Sequence, residues 1–374
     1  MADSKHKFFS FKFVWHLSMS IVSLVLLLSY LAPFIHPETL SLLAFFGLGY
    51  LYILLLSVIA LIVTIIKKSR WKYVLGSLLL IGINLHFRTI AWGGNTELTD
   101  ENSLKVMSYN VRLFDRYNPN VNEAQSTKNE ILKYIETNQP ELVCFQEFYH
   151  QDNPTSFKTK DTLLKIFNTK QYHERYQHKT NGRQNFGVFI LSVYPIIEKG
   201  DIVFDQPLKS NNYCIYSDIV VKKDTFRIYN VHLQSIHLQR DDYALFDEED
   251  PSHGDQSSNI FKLFNKIRLA YPIRAKQAEE VAAHIKKSPY PVIVCGDFND
   301  SPMSYSYNQF NSILTDAFRN CSFGLGATYA GKIPAGRIDY IFHDRSLNST
   351  NFKIQEDPLS DHRAISCTIF KPLK

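Results

Sequence analysis

Carboxylates, amides and imidazoles recur in this chain at the ends of short apolar runs, which is where α/β proteins gather their ligands. The run from Lys105 ends in Asn110, Leu142-Val-Cys-Phe ends in Gln146 and Glu147, and Phe226-Arg-Ile-Tyr ends in Asn230 and His232. Val292-Ile-Val-Cys-Gly ends in Asp297, Asn299 and Asp300, Asp339 precedes Tyr-Ile-Phe, and Asp361-His362 opens Arg-Ala-Ile-Ser-Cys-Thr-Ile. Each has a bland reading on its own: Gly296-Asp-Phe-Asn299 is a common turn, and an Asp-His pair is as often a surface pair. Six such ends in one stretch, each of a type that one reaction needs, argue for a site.

The chemistry they share is hydrolytic. Glu147 and the aspartates are hard oxygen donors of the kind taken by Mg²⁺, with Mn²⁺ also possible, and the set holds too little sulfur for zinc. A neutral His362, oriented by Asp361 or Asp339, can remove a proton from water. His232 and Asn299 can stabilise a crowded negative transition state. The combination describes metal-assisted attack of water on a phosphate ester.

The elements that must position these residues alternate in type. Helical periodicity is expected over Ala124 to Asn138, Lys160 to Asn168 and Pro272 to Lys287, the last with Ala278, Val281, Ala282 and Ile285 on one face. Strand-like runs fall between them. The stretch Arg240 to Gln256 is acidic and turn-rich and reads as a solvated loop. Cys144, Cys295 and Cys367 sit inside apolar runs, where a small buried thiol is expected, and no CxxC or disulfide framework exists among the five cysteines.

In family order, Ser108-Tyr-Asn110, Phe145-Gln-Glu147, Asn230-Val-His232, Gly296-Asp-Phe-Asn299, Arg337-Ile-Asp-Tyr340 and Ser360-Asp-His362 resemble the endonuclease/exonuclease/phosphatase (DNase I-like) superfamily, over roughly Leu104 to Phe370. The resemblance implies a four-layer α/β sandwich, two mixed β-sheets flanked by helices. It implies that Glu147 binds metal with Asn110 and Asp361 close by, and that His362 is the general base held by Asp339. Asp297 would bind a second metal or orient the nucleophile, Asn299 would hold the scissile phosphate, and His232 would donate towards the leaving side. One departure is Val193, where many relatives carry a basic residue. A phosphate contact near that strand is then missing or supplied by Arg183.

Ahead of this region the chain is of another kind. Val14 to Ile35 and Leu40 to Ile66 contain no formal charge, and each exceeds the roughly 20 residues that cross a hydrocarbon core. Tyr73 to Trp92 is a third, weaker candidate, which crosses only if Arg88 snorkels, with Trp71 and Trp92 as interface residues. The net charge of +5 divides sharply: eight basic and two acidic residues precede Glu97, leaving 33 basic and 34 acidic for the remainder. A generally basic nucleic-acid-binding domain is thereby excluded. The excess is instead a topology signal, since Lys67, Lys68, Arg70 and Lys72 mark a cytoplasmic loop. Three crossings place the rest of the chain on the outer face; two would leave it in the cytoplasm.

These readings give a membrane anchor over 1–92 with spans near 14–35, 40–66 and 73–92, a linker over 93–103 and a catalytic domain over 104–374. The expected function is a membrane-anchored, Mg²⁺-dependent phosphoric-ester hydrolase, a phosphodiesterase or phosphatase. Its partners would be the bilayer and a phosphate ester, with no protein partner evident. Alternatives are a metal-dependent nuclease on DNA or RNA and an inactive membrane-tethered binding module.

Overall fold

The computed structural model describes residues 2–94, 103–152, 155, 157–180, 183–204, 212–236, 256–331 and 336–372. In chain order, helices α1 (Ala2–Leu31), α2 (Leu42–Leu48), α3 (Tyr50–Ile66), α4 (Trp71–Ile81) and α5 (Ile83–Thr89) lead to strand β1 (Ala91–Trp92). Then follow β2 (Leu104–Asn110), α6 (Val121–Asn138), β3 (Leu142–Gln151), α7 (Thr159–Ile166), β4 (Gln171–Thr180), β5 (Gln184–Ser192), β6 (Ile196–Ile202), β7 (Tyr213–Val221) and β8 (Asp224–His232). The chain closes with α8 (Gln256–Ile285), β9 (Val292–Asp297), α9 (Tyr305–Asn311), β10 (Thr315–Asp316), α10 (Ala317–Cys321), β11 (Phe323–Gly324), β12 (Asp339–His343), β13 (Asn348–Ile354) and β14 (Ile365–Phe370).

Alternation along the strands creates three cores. Val106, Cys144 and Ile190 of one sheet face Ile228, Ile293, Cys295 and Ile341 of the other. The residues between them point outwards: Met107, Val143 and Phe145 pack under Ile131 and Ile135 of α6, and Tyr229, Val292 and Val294 pack under Ala278, Val281 and Ile285 of α8. A period of two thus buries both faces of each strand, which requires helices on the outside. The result is a four-layer sandwich of two six-stranded mixed sheets, ordered β10-β12-β9-β8-β7-β6 and β13-β14-β2-β3-β5-β4. All five cysteines are buried and unpaired.

Several elements differ from expectation. α8 does not begin at Pro272 but passes through it from Gln256, because Ala270, Tyr271, Ala275 and Ala278 continue one buried face across the proline. Gln256 is therefore helical, and the remaining acidic residues 240–255 lie outside the described residues, as do 95–102 of the expected linker. The 40–66 stretch is not one helix: α2 and α3 meet at 69° around Gly49. Nor is 73–92 continuous. Gly82 separates α4 from α5, and the ring of Tyr30 occupies the space a side chain there would need. Trp92 ends no helix; it pairs with Phe323 in the β1–β11 ladder. Among the described helices one, over Phe11–Leu31, is by itself long and apolar enough to cross a membrane.

The helical segment has two chemically distinct ends. At one, the Trp71 indole donates to His16 (2.8 Å) and Lys67 lies over the Trp15 ring. The other end meets the sandwich. His36 packs edge-on against Tyr305, Phe45 stacks on Phe264 of α8, and the Ser301 hydroxyl donates to the Gly47 carbonyl (3.3 Å). Gly47 has no room for a side chain, since a Cβ would stand 2.5 Å from the Met303 carbonyl oxygen.

Arg337 joins these two parts. Its buried guanidinium donates to Asp316 Oδ2 (2.6 Å) and to the Arg88 carbonyl (2.8 Å), among the rings of Phe318 and Tyr340. Removing one partner of a buried pair leaves an uncompensated charge. Arg337→Ala is therefore expected to lower unfolding stability by about 3–5 kcal/mol, and Arg337→Ala with Asp316→Leu to recover part of it, as read from denaturation midpoints of the detergent-solubilised chain.

Candidate active site

Strand register brings the polar strand ends to one level. Parallel pairing sets Asn110 opposite Gln146 and His232 opposite Asp297, while antiparallel β12 places Asp339 opposite Asp297. The parallel pairs carry their terminal residues to the same edge, and the facing sheets bring the two edges together.

Buried amides then tie sheet to sheet. The Asn110 side chain donates to Asp297 Oδ2 (2.9 Å), and its oxygen accepts from the Arg112 backbone (3.1 Å). Below it the Gln146 amide donates to Asn230 Oδ1 (2.7 Å), and Asn230 donates to the carbonyls of Phe145 (2.9 Å) and Phe189 (3.0 Å). Gln146 and Asn230 are fully buried, so each of these bonds satisfies a group that could not otherwise be hidden.

Glu147 reaches the cleft through a defect in its strand. Phe145 and Phe148 both pack on the outer face of β3, which strict alternation forbids; the pairing with β5 shifts register between them, and Glu147 takes a left-handed conformation with φ of 48°. A bulge of this kind re-aims a side chain that would otherwise point into the outer core. Asn299 is likewise left-handed, at φ of 53°. Its backbone donates to Asp297 Oδ1 (2.8 Å), and its amide donates to Asp297 Oδ2 (3.2 Å) and the Leu233 carbonyl (3.1 Å).

His362 Nδ1 lies 3.0 and 3.1 Å from the two Asp339 oxygens, so of the two aspartates considered it is Asp339 that orients the ring. Its Nε2 lies 3.7 Å from Asp297 Oδ2, and Tyr329 packs edge-on against the ring. Thr328 accepts from the backbones of Ile338 (3.0 Å) and Asp339 (3.1 Å), fixing the strand that carries the carboxylate. Burial alone would lower the His362 pKa, but Asp339 and Asp297 reverse this and hold the imidazole well above the usual histidine range. Desolvation raises Glu147 and Asp339 above the usual carboxylate range, against the pull of the nearby histidines.

Asp361 has its own partners: Arg112 Nε stands 3.6 Å away and the Ser360 hydroxyl 3.2 Å away. Arg112 begins a turn, Arg112–Asp115, in which all four residues have positive φ. That turn walls a cleft of about 490 Å³ lined also by Glu130, Leu359 and Asp361.

The residues fit a divalent cation. Asp297, Asp339 and His362 each present a ligand atom within 4.8 Å of the others. Among the described residues both ring nitrogens of His232 are buried without a hydrogen-bond partner, with Nε2 3.7 Å from Asp297 and 3.9 Å from Glu147. Buried carboxylates in excess are the condition a cation relieves.

Of the eight residues expected at the site, Asp361 lines this cleft; the others gather around Asp297, which Asn110, Asn299, His232 and His362 approach directly, with Glu147 beside His232 and Asp339 beside His362. Asn110 and Asp361 have commitments the sequence did not show, to Asp297 and to Arg112. Val193 sits elsewhere. It follows Ser192, which pairs with Leu142, five residues before Glu147 in β3, so the departure from the family pattern at Val193 lies away from the site. Arg112, Thr328 and Tyr329 were not anticipated. None ends an apolar run, and only the folded chain brings them to Asp361, Asp339 and His362.

This cleft and the sandwich beneath it define a phosphoesterase-type hydrolase. A family model for the endonuclease/exonuclease/phosphatase family matches residues 107–362, and the chain belongs to that family, whose members are metal-dependent hydrolases of phosphoester bonds. A second model, for a domain of unknown function (DUF8431), matches residues 11–89. Among curated proteins none matches. A family protein from Bacteroides thetaiotaomicron is similar at 19% identity, covering 72% of this chain and 98% of its own, with a TM-score of 0.51. One from Bacteroides vulgatus is similar at 15% identity, covering 72% and 99%, with a TM-score of 0.50. Both share the fold.

The Asn230 amide faces two carbonyl oxygens, which tests the clamp directly. Asn230→Ala is expected to cost about 1–3 kcal/mol. Asn230→Asp should cost more, because a carboxylate has no hydrogen to offer Phe145 and Phe189, and chemical denaturation of the three proteins compares them.

Proposed function

We propose that the chain is a membrane-anchored, Mg²⁺-dependent phosphodiesterase that uses His362 to activate water. The observation that carries this reading is the Asp339–His362–Asp297 alignment. Asp339 occupies Nδ1 and leaves Nε2 beside Asp297; with the charge of Asp297 offset by a cation the ring would lose the proton these carboxylates otherwise hold on it, and Nε2 is then the atom that takes the proton from water. Asp297, held by Asn110 and Asn299, orients that water. His232, which has no hydrogen-bond partner among the described residues, donates to a phosphoryl oxygen as charge builds there.

Asp297, common to the Asp297–Asp339–His362 cluster and fixed by Asn110, would hold the cation together with Glu147, which like Asp297 lies beside His232. Bound there, the cation supplies Lewis-acid stabilisation of the phosphoryl oxygens. The oxygen-rich donor set, without a thiol, supports Mg²⁺ over a softer metal.

The charge asymmetry of the helical segment supports an outer location for the sandwich. Lys67 belongs to the end that carries Trp15 and Trp71, whereas the sandwich meets the end that carries His36 and Gly47. Basic residues remain cytoplasmic, so α1, the bent α2–α3 pair and the broken α4–α5 pair together make three passes.

Full-length protein in detergent is expected to hydrolyse bis-p-nitrophenyl phosphate with Mg²⁺ and to stop with EDTA. His362→Ala and Glu147→Gln should each lower kcat by about 10²–10⁴-fold with unchanged circular dichroism, and full activity in either variant would sink the mechanism. For topology, a C-terminal reporter active only outside the cytoplasm is the expected result, and labelling solely from the cytoplasmic side would reverse the assignment.

A further inference from the structure

The first half of α8 exposes an apolar face that the sandwich does not need. Phe261 is 64% exposed and Leu269 63%, and with Ile273 they follow one another at i+8 and i+4, which keeps them on one side of the helix. Basic Lys262, Lys266 and Arg268 flank them. The adjacent side of the same helix is covered: Phe264 stacks on Phe45 of α2, and Tyr271 meets Phe45 edge-on. The exposed stripe is thus continuous with the helical segment, and at its far end Lys276 pairs with Glu38 in the loop between α1 and α2 (3.0 Å). A second exposed aromatic pair stands where the two parts join at β1: Trp92 and Phe323, 66% and 71% exposed, packed edge to face. Aromatic rings and basic residues beside apolar side chains are what a helix lying in a bilayer interface presents.

We infer that the first half of α8 lies on the outer bilayer surface and that the site takes its phosphoester from lipid headgroups in that same bilayer. This rests on the membrane-anchored phosphodiesterase reading above. The helix is tied to the site by short links. Arg274, one residue beyond Ile273, donates to the Gln234 carbonyl (2.9 Å) and stands 3.4 Å from Asp300. Gln277 accepts from the Gln234 backbone (2.7 Å). Gln234 lies two residues past His232, and Asp300 directly follows Asn299. A helix resting on the headgroups therefore carries both strand ends at their level. Exposed Arg268 beside the stripe fits an anionic surface, and a lipid diffusing in the plane reaches the site without leaving the bilayer.

Two measurements test this on the full chain reconstituted in phosphatidylglycerol/phosphatidylcholine nanodiscs. In the first, Phe261→Cys is labelled with the fluorophore NBD, the native cysteines being buried, and quenched with brominated lipids. Strong quenching is expected at 261 and none at a Glu136→Cys control on α6; equal, weak quenching at both would overturn the inference whether or not the enzyme is active. In the second, Phe261→Asp/Leu269→Asp should lower kcat/KM on bilayer phosphatidylglycerol at least 10-fold, mainly through KM, while hydrolysis of bis-p-nitrophenyl phosphate stays within 2-fold. Unchanged bilayer activity would overturn it. Loss of Mg²⁺-dependent hydrolysis of the soluble ester by the unmutated protein would instead count against the phosphodiesterase reading, with the quenching result standing separately.

Discussion

The polar clamp between the two sheets is the constraint on which the rest of the molecule depends. A sandwich held by Val, Ile and Cys side chains has no reason of its own to hold one register between its sheets, because apolar contacts tolerate sliding. Asn110 to Asp297 and Gln146 to Asn230 remove that freedom. These groups are buried, so a displacement that broke the bonds would leave donors and acceptors without partners. The same bonds place Asp297 within reach of both histidines. Sheet register and site geometry are therefore one property.

Two left-handed residues complete the arrangement. A strand offers its side chains to alternate faces only, and a cleft at its end needs more convergence than alternation allows. The bulge at Glu147 and the turn at Asn299 supply it, at a backbone cost of about 1–2 kcal/mol each for an ordinary residue. The surrounding bonds hold them: Asn299 through three hydrogen bonds to Asp297 and Leu233, and Glu147 through the phenylalanines packed on either side of it in β3. Backbone strain at functional positions persists where the surroundings over-determine it.

The N-terminal helices are more than an appendage to this sandwich. Ser301 and Met303, just past the Asp297–Asp300 turn, pack on Gly47, and Arg337, two residues before Asp339, binds the Arg88 carbonyl. Both connections end close to site residues. Displacing the helices therefore disturbs the loops that carry Asn299 and Asp339, which ties the integrity of the site to the segment that precedes it.

Much of this was legible in the chain itself. Apolar runs ending in Asn110, Glu147, His232, Asp297, Asp339 and His362 identify the strands, the edge at which they end and the hydrolytic chemistry, because a side chain's type and its place in a period-two pattern are local properties. The uncharged stretches and the Lys67–Lys72 cluster likewise mark the N-terminal segment without any structure. Helix continuity was harder to read: Pro272 looks like a start until Ala270 and Tyr271 are seen to be buried, and Gly82 looks innocuous until the Tyr30 ring fills its place. Partner choice was decided only by tertiary structure. Whether Asp361 or Asp339 orients His362, whether Asn110 is committed to Asp297, and whether Phe261 and Leu269 are covered all depend on residues distant in the chain. Sequence determines what each group can do; the packing of the two sheets determines which group it does it with, since a buried polar atom must take the partner that the fold brings to it.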